Sequence, residues 1–251
     1  MENEEVIEVK GIVRGRDRIV PSKPFKDYAQ IEEVANKCRG ELKRIQVDLC
    51  DGKYVPSVSW PFTQYSKSEF QNLGSDDKTD VYLPLWESIN YTADVMCENP
   101  ENYIDSLIAY GFDEVILHYK SIKDGKTFTQ ISDRLYDTEI ALILALDVST
   151  DISDFMSFAK EYRDIVSGFQ VMGIEKIGFQ GQKFDPKSLE IVKILREVFQ
   201  DKKIMLDGGI TDQNILECRD AGVDQFCVGS YLTEANSFSE NLTELKNILR
   251  D

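Results

Sequence analysis

Two aspartates are placed to do chemistry in this chain. Asp48 stands near the end of the apolar run Arg44-Ile45-Gln46-Val47-Asp48-Leu49-Cys50, just before an Asp51-Gly52 turn. Asp207 ends a second run, Lys203-Ile204-Met205-Leu206-Asp207, and Gly208-Gly209 follow it. Both runs read as buried parallel strands that open into loops. Carboxylates at the C-terminal ends of two strands can face one another across the mouth of a barrel. One can then remove a proton next to a carbonyl while the other returns a proton to the opposite face. That work inverts a carbon through a flat enediolate, and it needs two groups of similar pKa, tuned upward by burial or by each other. Either aspartate taken alone could equally cap the loop that follows it.

The rest of the titratable inventory narrows the chemistry. His118 is the single histidine, so a multi-histidine zinc site is excluded and acid–base work rests mainly on carboxylates. His118 ends an apolar run, where it could contact a substrate or be a satisfied polar residue at a strand end. The five cysteines are odd in number, widely spaced and without a Cys-x-x-Cys pair, which fits small buried hydrophobes in a reducing cytoplasm. Three glycine-bearing segments are candidates for a phosphate cradle built from backbone N–H groups. They are Gly178-Phe179-Gln180-Gly181-Gln182, Asp207-Gly208-Gly209 and Val228-Gly229-Ser230. They follow the last three apolar runs, where a (β/α)8 barrel usually holds phosphate. Any one of them could be an ordinary tight turn.

The elements that would position these residues alternate. Strand-like runs lie near 17–22, 43–50, 91–97, 113–119, 139–147, 167–173, 202–207 and 223–229. Helix-period stretches lie at 26–39, 99–110, 152–164, 186–199, 212–221 and 238–249, with Asn99-Pro100 expected as N-cap and first residue of the second. Eight such repeats in 251 residues predict a single (β/α)8 barrel over 17–251, preceded by a charged extension at 1–16. Residues 51–90 form one long connection after the second strand, read either as a lid or as a surface insertion with a short helix. The formal net charge of −16 argues against nucleic acid as a partner. No apolar run reaches the roughly 18 residues of a membrane span.

The motifs resemble those of the ribulose-phosphate 3-epimerase family over roughly residues 17–235. The strand-two signature of that family, His-x-Asp-x-Met-Asp-Gly-x-Phe-Val-Pro, is similar to Gln46-Val47-Asp48-Leu49-Cys50-Asp51-Gly52-Lys53-Tyr54-Val55-Pro56. Its His-Leu-Met followed by Asx-Pro resembles Asp94-Val95-Met96 with Asn99-Pro100. Its strand-six loop resembles Ile177-Gly178-Phe179-Gln180-Gly181-Gln182-Lys183-Phe184, with Gln180 in place of a glycine. Asp207-Gly208-Gly209-Ile210, Ala221-Gly222-Val223-Asp224 and Gly229-Ser230 also match.

The resemblance implies an isomerase of pentose phosphate metabolism that interconverts ribulose 5-phosphate and xylulose 5-phosphate. Asp48 and Asp207 would be its acid and base. Met96, His118, Gly178, Gln180, Gly181, Gly208, Gly209, Gly229 and Ser230 would contact the phosphosugar. Family members hold a divalent metal with two histidines and the two aspartates. Here those positions are Gln46, Asp48, Asp94 and Asp207, an all-oxygen set that suits Mg²⁺, Mn²⁺ or Ca²⁺ better than Zn²⁺, with Fe or Zn as in the family remaining an alternative. A metal-free site is the other expectation, with Lys176 as a candidate donor to the enediolate. A serine of family strand one aligns loosely with Phe25, and Met172 is expected near the pocket. Loss of both histidines keeps a second reading open, a catalytically silent phosphosugar-binding or regulatory barrel. Family members assemble as dimers or hexamers; nothing in this chain sets a number.

Overall fold

The computed structural model describes residues 18–65, 70 and 82–249. The extension expected at 1–16 and most of the central part of the 51–90 connection, including the lid expectation for it, lie outside the described residues. Eight strands close into one parallel barrel in chain order. They are β1 Ile19–Lys23, β2 Arg44–Cys50, β3 Asn90–Met96, β4 Glu114–His118, β5 Ala141–Leu146, β6 Gly168–Met172, β7 Lys203–Asp207 and β8 Gln225–Val228. β1 pairs with β2 on one side and β8 on the other, which closes the ring. Around it lie α1 Tyr28–Cys38, α2 Ile104–Ala109, α3 Gly125–Leu135, α4 Ile152–Glu161, α5 Lys187–Val198, α6 Ile215–Ala221, α7 Ser230–Thr233 and α8 Phe238–Leu249.

Strand alternation divides the residues between two environments. In β2, Val47 and Leu49 join the large apolar core that also holds Ile31, Val34 and Ala35 of α1. Gln46, Asp48 and Cys50 take the opposite face and point into the barrel. A small plug of Val20, Ile116, Ile143, Ala145, Met205 and Cys227 fills the middle of the barrel. Buried on both faces, the strands are apolar throughout except where polar side chains enter the lumen.

Two helices differ from the sequence pattern. The segment expected as one helix over 99–110 is a 3₁₀ turn, Pro100–Asn102, followed by α2. Asn99 sits at φ 56°, in the left-handed region, and its side chain makes no cap; its carbonyl accepts from Asn102 N at 3.1 Å instead. Helix α3 was not expected. Its start is masked by Gly125, yet Asp124 caps Thr127 N at 2.8 Å and Phe128, Ile131 and Leu135 are buried. The described parts of the 51–90 connection pack inward. Trp60 is buried and its N–H donates to the Phe25 carbonyl at 2.6 Å, and Ser106 donates to the carbonyl of buried Phe70 at 2.6 Å.

The N-terminal end of the barrel carries a buried charge network. Glu114 accepts from Lys203 across the lumen and from Thr92 at 2.9 Å, and Arg44 lies 3.1 Å from its other side. Burial alone would raise the Glu114 carboxyl, but Lys203 and Arg44 together hold it below the ordinary glutamate value. A carboxyl lowered on folding contributes stability above its unfolded pKa, and that stability is lost as pH falls through the lower folded value. Glu114→Ala leaves Lys203 buried without its carboxylate, so urea denaturation near neutral pH should report a loss of about 3–5 kcal/mol. The acid side of the variant's stability curve should also be flatter than that of the native chain. A cost that stayed the same at acid and neutral pH would show that packing, not the ion pair, carries the effect.

Candidate active site

Three strands bring three carboxylates to one place at the C-terminal end of the barrel. Asp48 and Asp94 are direct neighbours in the β2–β3 register, and Asp207 ends β7 beside Met172 of β6. All three are buried, and a ligand oxygen of each lies within 4.8 Å of the others. Asp51, by contrast, serves the turn. Its carboxylate accepts from Lys53 N at 2.9 Å, Tyr54 N at 3.0 Å and Glu98 N at 3.2 Å.

Each clustered carboxylate has donors from neighbouring strands. The Gln46 side-chain amide donates to Asp48 Oδ1 at 3.0 Å and to Asp207 Oδ2 at 2.8 Å. Ser22 of β1 donates to Asp207 Oδ1 at 3.3 Å. His118 Nε2 lies 2.7 Å from Asp94 Oδ1, and Gln170 Nε2 donates to Asp94 Oδ2 at 3.0 Å. Behind these, the Cys227 thiol donates to Gln46 Oε1 at 3.0 Å.

These donors do not offset the charge. Burial raises the Asp48 carboxyl, and Asp207 and Asp94 push it further up. Burial followed by Asp94 lifts Asp207 to about 7, against the opposing bonds from Gln46 and Ser22. Both carboxyls therefore stand above the ordinary aspartate value, and groups this close titrate as a pair rather than singly.

Beside the carboxylates opens a cleft of about 220 Å³. Its lining includes Asp48, Asp207, Met96 and Met172. The three glycine loops form the rest of its wall: Gly178 to Gln182, Gly208-Gly209 and Gly229-Ser230. Among the described residues no lysine or arginine side chain lines it, so an anion there would depend on backbone N–H groups and on neutral donors such as Ser230. Gly208 and Gly209 adopt φ 104° and 71°, and a side chain on Gly209 would strike the Phe184 backbone at 2.7 Å. The turn after β7 therefore requires glycine at both positions. The Gln180 side chain lies against Gly229, and its Oε1 is buried with no hydrogen-bond partner among the described residues.

Several expected residues stand elsewhere. Phe25 is a core residue, and the strand-one serine that reaches the carboxylates is Ser22. Lys176 is exposed and outside the cleft lining. His118 is buried in the lumen with its ring 5.5 Å from Tyr54, and its Nε2 is turned to Asp94. Ser22, Gln170 and Cys227 were not expected. The signal for them was period two: each lies two residues from another inward position on its strand.

The carboxylates fit a hard divalent cation such as Mg²⁺ or Mn²⁺, which takes oxygen ligands. His118 and Gln170 would then brace Asp94 from behind, as outer-shell partners commonly do. The Gln46 amide presents its N–H groups to Asp48 and Asp207 and its oxygen to the Cys227 thiol.

An eight-stranded parallel barrel with carboxylates converging at its C-terminal mouth, beside a glycine-walled cleft, defines a (β/α)8-barrel protein. Residues 18–233 match the ribulose-phosphate 3-epimerase family, and the chain belongs to that family. The ribulose-phosphate 3-epimerase of Chlamydia pneumoniae is 28% identical over 204 residues, 78% of each chain. That of Eremothecium gossypii is 24% identical over 236 residues, 93% of each. Among solved structures, the 3-hexulose-6-phosphate synthase of Salmonella typhimurium superposes with a TM-score of 0.67 at 14% identity, covering 92% of this chain and 98% of that one. That likeness concerns the fold.

The raised carboxyls set a pH dependence. A carboxyl raised on folding keeps a proton that the unfolded chain releases, so stability falls as pH rises. For Asp207 the window runs from the unfolded aspartate value of about 4 to about 7. Asp94→Asn removes the second cause of that shift. In metal-free protein, carboxylate ¹³C NMR should show the Asp207 midpoint moving down in this variant, with a shallower fall of urea stability across the window. An unmoved midpoint would mean that the Asp94 charge does not reach Asp207.

Proposed function

We propose that this chain is a sugar-phosphate 3-epimerase, with ribulose 5-phosphate or a close ketose phosphate as substrate. The observation that carries the reading is the Asp48–Asp207 pair, buried together with both proton affinities raised. An epimerase needs a base and an acid present at once, on opposite faces of the carbon that inverts. Two close carboxyls, one ionised and one protonated, would meet that need: the ionised member takes the C3 proton and the protonated member returns one to the other face. The two exchange states with each direction of turnover.

Family membership supports the substrate class, because the relatives are named ribulose-phosphate 3-epimerases. In this reading the phosphate sits among the backbone N–H groups of Gly178–Gly181, Gly208-Gly209 and Gly229-Ser230. Gln180 lines the same wall, where its side-chain N–H groups are the donors it could offer the phosphate. Met96 and Met172 supply the apolar wall that excludes water from the reacting carbon. His118 acts through Asp94, keeping that carboxylate in place behind the sugar. A divalent cation held by Asp48, Asp94 and Asp207 supplies, when bound, positive charge against the enediolate oxygens. The activity belongs to pentose phosphate metabolism and fits a cytoplasmic protein; among the described residues no helix is long and apolar enough to cross a membrane.

The test is deuterium entry at C3 of ribulose 5-phosphate in D₂O, followed by NMR, with metal-stripped protein and protein reloaded with Mg²⁺ or Mn²⁺. The native chain should exchange C3 and form xylulose 5-phosphate. Asp48→Asn and Asp207→Asn should each lower the rate by about 10²–10⁴. Tight phosphosugar binding with no exchange under any metal condition would instead favour a silent phosphosugar-binding barrel.

A further inference from the structure

Gln46 occupies the centre of the carboxylate cluster. Its amide nitrogen has two N–H groups and two acceptors within reach, Asp48 Oδ1 at 3.0 Å and Asp207 Oδ2 at 2.8 Å. Its oxygen has one neighbour, the Cys227 thiol at 3.0 Å. Cys227 is fully buried, and a thiol near neutral pH carries its proton, so it presents a donor to whatever faces it. The opposite amide orientation would set a carbonyl oxygen at 2.8 and 3.0 Å from two carboxylate oxygens. It would also leave the thiol facing an NH₂ group. The hydrogen-bond inventory therefore allows one orientation.

We infer that Gln46 is a positioning residue, locked by Cys227, whose amide bridges Asp48 and Asp207 at a set separation and which does not ligate a metal. The inference rests on the reading of those two aspartates as the proton-transfer pair, and it specifies what holds them. A neutral bridge with two donors does what a ligand cannot. It attracts both carboxylates while adding no charge, so the pair can be drawn together without either being forced to stay ionised. A cation would then be held by the three aspartates alone.

The side-chain amide of Gln46 reads this directly. In ¹⁵N-labelled protein, assigned by loss of its signal in Gln46→Leu, both amide protons should exchange with water far more slowly than those of exposed Gln200. They should stay protected when Mg²⁺ is added. Cys227→Ser keeps a donor and should keep both signals protected; Cys227→Val removes the donor and should release them. In parallel, Mn²⁺ titration by EPR should give Gln46→Leu an affinity within about twofold of the native chain. Asp94→Asn should lose about tenfold or more.

Amide protons that exchange at the Gln200 rate would overturn the bridge. So would a Gln46→Leu loss of Mn²⁺ affinity equal to that of Asp94→Asn, which would make Gln46 a ligand. If the native chain takes up no Mn²⁺, the amide signals decide the matter alone. None of these readouts requires turnover. A protected Gln46 amide in a protein that exchanges no sugar proton would keep the bridge and reject the epimerase reading.

Discussion

The constraint on which the rest of this structure depends is repulsion among three buried carboxylates. Asp48, Asp94 and Asp207 have ligand oxygens within 4.8 Å of one another in the lumen of a closed barrel, where water cannot screen them. Charges that close in a low-dielectric interior interact by several kcal/mol even at an effective dielectric near 20. A fold whose only task was stability would not assemble them. The surrounding side chains are arranged as a response. Gln46 and Ser22 give donors to Asp207, Gln46 gives one to Asp48, and His118 and Gln170 take the two oxygens of Asp94. Of these, only His118 can carry a positive charge, so the response orients the cluster more than it neutralises it.

The opposite end of the same barrel shows what neutralisation looks like. There Glu114 meets Lys203, Arg44 and Thr92, and its carboxyl is held below its ordinary value. At the mouth the carboxyls of Asp48 and Asp207 are held above theirs. Both ends are buried to a similar degree, so burial does not explain the difference. What differs is that two cations reach the lower network, while among the described residues no lysine or arginine lines the cleft above. At the lower end the charge is paired; at the upper end the carboxyls keep a raised proton affinity. Between them the apolar plug of Val20, Ile116, Ile143 and Met205 keeps Lys203 and Arg44 from reaching the mouth.

The barrel was legible in the sequence because its strands are buried on both faces. Continuous apolar runs such as Ala141–Leu146 stand out against the helices between them, and eight of them leave little choice of architecture. Asp48 and Asp207 were legible because a carboxylate at the end of such a run has no apolar reason to be there. Ser22, Gln170 and Cys227 were less legible for the opposite reason. Each is a small or neutral side chain inside a run, and inward or outward facing depends on a register that is set by partners on other strands. Lys176 misled because proximity in sequence to the strand-six loop says nothing about which way a lysine points. Helix α3 was hidden by a glycine in its first turn, where the cap from Asp124 outweighs the poor helix propensity of Gly125.

Where the histidine-bearing signature it resembles would place imidazoles, this chain has Gln46 on β2 and Asp94 on β3. The two residues bear on the same charges. An aspartate on β3 adds a third negative charge beside Asp48, its direct register partner, and would be costly if unpaired. His118 on β4 and Gln170 on β6 lie where they can bind it from both sides. A glutamine on β2 then adds two N–H donors at the point where the charges of Asp48 and Asp207 converge. With a histidine at that position, one ring nitrogen could face the carboxylates, and it could donate to only one of them along a single direction. The glutamine amide reaches both, provided its oxygen has a donor of its own, and Cys227 supplies that donor from β8. Strands β1, β2, β7 and β8 thus make one hydrogen-bonded group around the pair, and β3, β4 and β6 make a second around Asp94. The closed barrel is what makes this possible, because only a closed sheet lets side chains from strands so far apart in sequence meet at one axis.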